Sequence, residues 1–505
     1  MLFIEDLASL VLWLLATVLS VNLLFLLFIF YRRLARKRYY EDKDSARSRY
    51  TRVVSEFVDN EISVDRAVAL LQEASSRAEH DAVQEMLLAQ EDANNAERIS
   101  QVFFGLGYVD EWARQAFGRR RAKALLERSM KREKAAISTT VPRTLLTPVR
   151  RMRMFAVPRS VALEALGRLA PDYAQVFVAE ALHDPASEVR RIAIAAMGRN
   201  RHPAAIPLLF DELLKAVEMN NDVSLRSTKS ALVCYTMEDL FHFVPYMTHP
   251  NRRMRFFVVD TVREIANKAA RHMLLNKNDF PQELYDAFLE NAVRDEFADV
   301  RARAGAVIKH FRDKRAVQAL RTLLSDENDF VRLHSVRACQ DRYYAELVPD
   351  MIRRLSDTRW RVREAAVKAL AAFGASGSNE LYRYFVATKD QYVSEQITEE
   401  IQRSGLTADI VAALAHGGED RDLAMAVAKK MVLMGKSSLL TSAAAGLTQP
   451  EPRILLMDAL MLAPTEQFLA VLETIGQTDD GPVGDKARSL LQAAEQRALA
   501  AAGRT

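Results

Sequence analysis

Residues 326–335 read DENDFVRLHS, and residues 357–366 read DTRWRVREAA. Two further segments follow the same pattern without gaps, namely DPASEVRRIA at 184–193 and DEFADVRARA at 295–304. Each begins with an acid, has an aliphatic residue and an arginine five and six residues later, and has a small residue at nine. An apolar residue recurs at thirteen: Met197, Ile308, Cys339 and Leu370. Because steps of four residues stay close to one helical turn, positions five, nine and thirteen share a face that we expect to be buried.

Weaker copies of this pattern extend in both directions along the chain. Earlier copies include Pro158-Arg159, Leu225-Arg226 and Met254-Arg255, and later ones start near residues 326, 357, 388, 418, 448 and 478. A second apolar helix is predicted before each copy, for example at 316–324. Paired helices that cannot cover their apolar faces alone become stable when neighbouring pairs stack. The predicted fold is therefore all-α, an α-solenoid of about eleven two-helix repeats over residues 141–505.

At these residues the chain resembles HEAT repeats, and its step of 30 or 31 residues is similar to the short HEAT-like type of bilin-lyase-related proteins. The resemblance implies a fold far better than it implies an activity. We expect structural roles for the recurring charges, because an acid favours the positive end of a helix and the arginine can bridge to the neighbouring repeat's acid. The residues in question are Asp184, Asp326, Asp357, Arg332 and Arg363.

An uncharged apolar stretch occupies residues 7–31, after a short segment 1–6 that holds acids but no Lys or Arg. As a helix it would span ~37 Å, which exceeds the ~30 Å hydrocarbon core of a bilayer. Residues 32–52 then carry nine Lys/Arg against three Asp/Glu. Basic residues stay on the cytoplasmic side, so the pattern predicts an uncleaved single-pass anchor with its N-terminus outside and everything after Tyr31 in the cytoplasm. A bacterial inner membrane is the expected location.

Opposite charges separate within the helical region 53–140. Residues 53–113 hold 13 Asp/Glu against 3 Lys/Arg, whereas residues 114–159 hold 14 Lys/Arg against 2 Asp/Glu. The basic segment 114–159 has three interpretations: pairing with the acidic segment, contact with anionic lipid, or binding to nucleic-acid phosphate. The candidate contacts with the membrane surface or another anion are Arg32, Arg33, Arg36, Lys37, Arg38, Arg119, Arg120, Arg121 and Lys123.

Motifs for catalysis are weak. The sequence Gly435-Lys436-Ser437 lacks the earlier glycine of a phosphate-binding loop, and no C-x-x-C, H-E-x-x-H or G-x-S-x-G occurs. Cys234 and Cys339 are expected to be small core residues. We therefore predict no enzyme activity, no cofactor and no metal, and expect neither a small-molecule substrate nor nucleic acid. A membrane-tethered lyase-like enzyme or nucleic-acid binder using residues 114–159 remains the alternative.

The favoured interpretation is a membrane-anchored cytoplasmic scaffold that binds a protein partner, as part of an envelope-assembly or transport machine. The resemblance to HEAT-like pairs implies that the second helix lines the concave side. Template positions eight and eleven point away from the buried face and supply the candidate partner-binding residues Arg303, His334, Arg337 and Lys368. A longer step before residue 295 contains Lys268–Gln282, with Met273 and Phe280, as a second candidate contact or a plain loop.

Overall fold

The computed structural model describes residues 2–90, 94–136, 159–340, 342–415 and 418–502, and every regular element in these ranges is a helix. The chain forms two compact units, Met1–Tyr235 and Thr236–Thr505, called unit 1 and unit 2. The helices of unit 1 are α1 (Leu2–Val58), α2 (Val64–Leu71), α3 (Arg77–Ala89), α4 (Ala96–Gly105), α5 (Tyr108–Phe117), α6 (Arg119–Ala136), α7 (Arg159–Leu166), α8 (Pro171–Ala181), α9 (Ser187–Asn200), α10 (Ala205–Glu218) and α11 (Asp222–Leu232).

Unit 2 continues the alternation of helices and adds short 3-10 turns. The α-helices are α12 (Arg252–Ala269), α13 (Gln282–Glu290), α14 (Ala298–Ile308), α15 (Lys314–Leu324), α16 (Asp329–Ala338), α17 (Val348–Arg354), α18 (Trp360–Ala372), α19 (Ala375–Ala387), α20 (Gln391–Ser404), α21 (Leu406–Ala415), α22 (Glu419–Leu433), α23 (Ser438–Gly446), α24 (Pro450–Leu460), α25 (Glu466–Thr478) and α26 (Pro482–Ala502). The 3-10 segments are Met237–Tyr246, Lys277–Asp279, Ala292–Arg294 and Arg342–Leu347.

Eleven helices carry the template copies, as the sequence predicts. They are α7, α9, α11, α12, α14, α16, α18, α20, α22, α24 and α26. In unit 2 the helices α12, α14, α16, α18 and α20 stack as one layer, and α13, α15, α17 and α19 stack as a second. The all-α solenoid of two-helix repeats is therefore confirmed.

The face formed by template positions five, nine and thirteen is buried. In α16 and the residue after it, Val331, Ser335 and Cys339 are each 0% exposed, and in α18 Leu370 is also 0% exposed. The only hydroxyl in this set, on Ser335, donates to the carbonyl of Val331 at 2.8 Å, which satisfies a polar group that burial would otherwise penalise. Each helix pair therefore buries the face that its own sequence marks as apolar.

Unit 1 has a core that begins inside α1. The apolar cluster runs from Ala46 of α1 through α2–α5 to Phe177 of α8. The predicted start of the solenoid at residue 141 lies outside the described residues. Within the described ranges, the helices before and after that point share one core, because Leu166 and Tyr173 belong to the same cluster as Phe103.

Helix α1 is a single unbroken helix of 57 residues. Its side chains from Trp13 to Tyr31 are exposed and strongly apolar, with a mean hydropathy of 2.4, which makes this segment a candidate membrane span by length and composition. Thr17, Ser20 and Asn22 each donate to the carbonyl four residues earlier. The hydroxyl donors of Thr17 and Ser20 are thereby satisfied within the helix, as is one of the two amide N–H donors of Asn22.

Candidate interaction surface

A ladder of buried ion pairs links successive repeats of unit 2. Arg332 donates through Nε and Nη2 to both carboxylate oxygens of Asp357, at 2.8 and 2.9 Å. Arg301 makes the same two bonds to Asp326, and Arg255 makes them to Asp295. In each case the arginine reaches forward to the acid that opens the next repeat. The predicted structural role of these charges is confirmed.

Each member of the ladder also stabilises its own repeat. The Nη1 of Arg332 donates to the carbonyls of Asp326 and Glu327, which open the same repeat. The Asp357 carboxylate accepts the backbone N–H of Arg359, two residues later. Burial alone would raise the pKa of Asp357, but the hydrogen bonds from Arg332 and Arg359 outweigh it and hold that pKa below its usual value.

The ladder ends at Arg363, because position 388, where the next acid would stand, is a threonine. Arg363 donates to the carbonyl of Asp357 at 2.8 Å, and its guanidinium lies 4.8 Å from the centre of the Tyr392 ring. A cation over an aromatic face is a favourable contact, and it takes the place of the missing carboxylate. The same repeat geometry is thus kept by a different interaction.

The four predicted partner-binding residues lie on the layer of stacked second helices, on α14, α16 and α18. Three of them form one group: His334 is close enough to Arg303 and Arg337 for both charges to lower its pKa. Lys368 instead forms an ion pair with Glu364 on its own helix. Arg337 is exposed and makes no ion pair with any described residue.

His334 is a neutral member of this group. Burial is the largest cause that lowers its pKa, followed by the positive charges of Arg303, Arg337 and Arg263, and the result is a pKa of about 4. A histidine with this pKa carries no charge at pH 7. The predicted strip of cationic or titratable groups therefore carries its positive charge on the arginines and Lys368 alone.

Asp260 of α12 is a buried neighbour of Arg303 that is not among the predicted site residues. It is 5% exposed, and its carboxylate lies 2.8 Å from Arg263 and 3.0 Å from Arg303. The signal was available, because Asp260 stands at position eleven of the template copy that includes Arg255. The pairing means that Arg303 holds a buried acid and is not a freely available cation.

Aromatic side chains lie within the same surface. The guanidinium of Arg303 is 5.8 Å from the centre of the Phe256 ring. Phe330 is 38% exposed, and its ring centre lies 4.3 Å from that of His334. Aromatic residues and arginine are both enriched in protein interfaces relative to the rest of the surface. We name the group Arg303, His334, Arg337 and Phe330 the α14–α16 surface.

The inserted segment Lys268–Gln282 is less available for contact than its composition suggests. Phe280 is only 5% exposed and packs edge-on against Phe311, with ring centres 4.9 Å apart. The backbone N–H of Lys277 donates to the carbonyl of Phe311 at 2.9 Å. The ring of Phe280 fills the core beside Phe311 and is not offered to a partner, which favours the plain-loop interpretation at this residue. Met273 remains 49% exposed.

The acidic segment 53–113 pairs with the juxtamembrane helix. Glu79 binds Arg49 at 3.0 Å, and Glu85 binds both Lys43 and Arg47 of α1. From the basic segment 114–159, the described contacts with acids join Arg114 to Asp110 and Glu111 within α5, and Arg121 and Arg159 to Glu180 and Asp184. Among the side chains that the structure describes, pairing between the two blocks involves Arg114 alone; the side chains of 130–136 and residues 91–93 and 137–158 lie outside that description.

The predicted anion contacts are exposed. On α1, Lys37 pairs with Glu41 at 3.7 Å, whereas no ion pair involves Arg32, Arg33, Arg36 or Arg38 among the described residues. On α6, Arg121 lies 3.4 Å from Glu180, while Arg119, Arg120 and Lys123 are also exposed. Within the described part of the chain, no group of three or more His, Cys, Asp or Glu side chains is placed to hold a metal ion.

Part of the chain matches a known family, and several solved structures are similar to it at low identity. A family model described as HEAT repeats matches residues 285–371. No curated protein matches the chain. Among solved structures, Kap95p bound to RanGDP is 12% identical with a TM-score of 0.36, and the match covers 85% of this chain and 64% of that one.

Two further solved structures are similar to this chain at low identity. The complex of CpcE and CpcF, a phycocyanin lyase from Nostoc sp. PCC7120, is 15% identical with a TM-score of 0.26, and the match covers 50% of this chain and 94% of that one. A designed armadillo repeat protein for peptide recognition is 19% identical with a TM-score of 0.21, and the match covers 50% and 99%. With the stacked helix pairs and the family match over α13–α18, the chain is a HEAT-like helical solenoid.

Proposed function

We propose that the protein is a single-pass membrane adaptor whose HEAT-like solenoid holds a protein partner in the cytoplasm. The observation that carries the proposal is α1, which joins an exposed apolar segment directly to the core of unit 1. An exposed apolar surface of this length is costly in water and is covered by lipid. Stacked helical repeats, in turn, offer an extended surface of the kind that binds proteins.

The orientation follows from the basic residues on one side of the apolar segment. Nine Lys/Arg occupy residues 32–52, and residues 1–6 hold none. We propose a bacterial inner membrane, with the solenoid serving an envelope-assembly or transport machine in the cytoplasm. The described residues include no group of catalytic side chains that would support an enzyme. We therefore propose the scaffold.

A reporter fused after Thr505 is expected to be active only in the cytoplasm. The reason is that basic residues after the span are retained on that side. The measurement compares fusions to alkaline phosphatase, which is active after export, and to green fluorescent protein, which is active in the cytoplasm. An active phosphatase fusion would reverse the topology. Recovery of the chain in the soluble fraction after lysis would contradict the proposal that α1 anchors the protein in a membrane.

The partner that best suits the α14–α16 surface has an acidic segment. Arg337 is exposed and has no ion pair among the described residues. Its neighbour His334 lies against the partly exposed ring of Phe330. Positive charge steers an acidic partner towards the surface, and the aromatic ring adds apolar contact area. Such association should weaken as salt rises, because screening shortens the range of the charges.

We expect Arg337→Glu to weaken capture of the partner by roughly tenfold or more, equivalent to about 1.4 kcal/mol or more. The charge reversal faces solvent, so thermal unfolding should change little. Lys314→Glu is the matched control, since Lys314 is an exposed cation at the start of α15 in the other helix layer. The measurement is quantitative recovery of cytoplasmic and membrane proteins on the immobilised full chain. If both variants retain the same proteins at the same salt, the binding surface lies elsewhere.

A triple substitution of Arg303, Arg337 and Lys368 by Glu tests partner binding less specifically than the template positions suggest. All three template positions point away from the buried face, which by itself would predict no change in stability. Arg303 lies 3.0 Å from the buried Asp260, so Arg303→Glu would bring two carboxylates together in a site that is 5% exposed at Asp260. Unpaired buried charge is strongly destabilising, and the triple variant would confuse unfolding with loss of binding.

A further inference from the structure

Helix α1 changes its surface pattern at Tyr39 without any break in the helix. Before this point, the basic side chains are Arg32, Arg33, Arg36, Lys37 and Arg38. At about 100° per residue the first four fall within an arc of about 140°, and Arg38 widens the arc to about 240°. A helix that lies flat on a membrane keeps its cations on one face, whereas a helix that passes through a headgroup layer meets phosphates on all sides. An arc this wide fits the second geometry.

From Tyr39 onward the contacts of α1 follow a single stripe. The side chains of Ala46, Tyr50, Val54 and Phe57 are at most 4% exposed, at spacings of three and four residues. They pack in the core of unit 1, and α1 contacts α3 along this stretch. The stripe begins with the hydroxyl of Tyr39, which donates to Asp81 of α3 at 2.6 Å.

The apolar stretch of α1 ends only a short distance before the stripe that packs on unit 1. Tyr39 is eight residues after Tyr31, the last residue of the apolar stretch, which corresponds to about 12 Å along the helix axis. The polar layer on each side of a bilayer is roughly 5–8 Å thick, and the Debye length at physiological salt is about 8 Å. The contact between α1 and α3 therefore falls within one Debye length of the headgroups.

Arg77 brings the first turn of α3 into the same region. Its guanidinium lies 3.7 Å from Asp81, the acceptor of Tyr39, and the side chain is 55% exposed. The acids on this side of α3 are largely occupied by α1, because Glu79 binds Arg49 and Glu85 binds Lys43 and Arg47. Glu41, Asp42 and Asp44 are exposed on α1 just after Tyr39, so the excess of positive charge on α1 that suits phosphate groups lies before Tyr39.

We propose that α1 is a rigid stalk that holds unit 1 against the membrane, with Arg32, Arg33, Arg36, Lys37 and Arg38 among anionic lipid headgroups and the first turn of α3 close to them on the cytoplasmic side. This inference rests on the proposed membrane span. It adds that α1 continues without a break from the apolar segment into the core of unit 1, so that unit 1 has a fixed distance from anionic phospholipid and a fixed orientation towards it.

The test measures the depth of two labels on the full chain in vesicles of phosphatidylcholine and phosphatidylglycerol. A fluorophore is attached at Arg77→Cys on α3 or at Ser55→Cys on α1, which is exposed and about 36 Å along the axis from Tyr31. Both are made with Cys234→Ser. Cys339 can stay, because it is buried and burial raises the pKa of its thiol, which keeps it unreactive. The quencher is a nitroxide on the lipid headgroup.

We expect quenching at position 77 to be several-fold stronger than at position 55. A second variant inserts seven alanines between Arg38 and Tyr39, which lengthens the helix by about 10 Å and nearly preserves its rotational phase. In a rigid stalk this insertion lowers the quenching at position 77 to the level at position 55. Quenching at position 77 should persist when phosphatidylglycerol is replaced by phosphatidylcholine, since a rigid helix sets the distance whatever the lipid charge.

Three results would overturn the inference. Equal quenching at positions 77 and 55 would mean that unit 1 has no fixed orientation to the bilayer. Unchanged quenching after the insertion would mean that α1 bends before Tyr39. A chain that floats with the vesicles but shows no quenching at position 77 refutes the stalk and keeps the anchor, whereas a chain that does not float refutes both.

Discussion

Asp357→Ala lowers the free energy of unfolding of unit 2 by about 3–5 kcal/mol, which is the cost of leaving a buried charge without its partner. The Asp357 side chain is 2% exposed and that of Arg332 is 11% exposed. Removing the carboxylate would leave two guanidinium N–H groups of Arg332 and the backbone N–H of Arg359 without an acceptor. The measurement is urea unfolding followed by circular dichroism.

The control for this prediction is Asp329→Ala in the neighbouring repeat. Asp329 pairs with Arg359 at 3.3 Å, but both side chains are largely exposed, at 47% and 67%. Exposed pairs contribute little, so this change should cost less than about 1 kcal/mol. Replacing Arg332 and Asp357 together by apolar residues should recover much of the loss. Equal destabilisation by Asp357→Ala and Asp329→Ala would contradict the role assigned to the ladder.

The same ion pair gives a pH dependence. Since the pKa of Asp357 is lower in the folded chain than in the unfolded chain, its contribution is fully present above about pH 4, the unfolded value. It is lost as the pH falls through the folded value. The destabilisation by Asp357→Ala should therefore shrink when unfolding is measured in acid below pH ~4.

Leu370→Ala is expected to cost about 2–5 kcal/mol, because Leu370 is 0% exposed at position thirteen of α18 and its removal leaves a cavity. In a stacked array each repeat contacts mainly its neighbours. Hydrogen exchange should therefore increase most in α16, α18 and α20 and least in α24 and α26. Leu433→Ala is the control, since Leu433 is 67% exposed in α22 and should cost less than about 0.5 kcal/mol. A uniform rise in exchange over unit 2 would point to one cooperative globule.

The repeated template allowed the solenoid to be predicted from sequence, because helical periodicity alone places Val331, Ser335 and Cys339 on one face. It also predicted the structural role of Arg332 and Asp357, since residues that recur at every repeat meet at every interface. The weak copies after residue 405 keep their register as α22, α24 and α26. Periodicity survives there because apolar spacing, unlike the acid and arginine, is needed for the helices to pack at all.

Contacts made by long or isolated side chains were not predictable in this way. Template position tells which face a residue occupies, but not that Arg303 reaches across to Asp260 of the preceding template helix. The composition of the insertion suggested an exposed Phe280, yet its ring packs on Phe311. Charge counts along the chain showed an acidic segment but not its partners. Because α3 packs on α1, the acids of α3 pair with Lys43, Arg47 and Arg49.

The ladder also makes the repeats interchangeable along the chain. Arg301, Arg332 and their acids meet head to tail, each with a forward donor and a backward acceptor of identical geometry. Deleting residues 326–356, one whole repeat, would bring Arg301 to Asp357 in the place of Asp326. Duplication of the same residues would extend the series without creating a mismatched junction. A solenoid joined in this manner can change length over evolution by whole repeats, and thereby fit partners of different size.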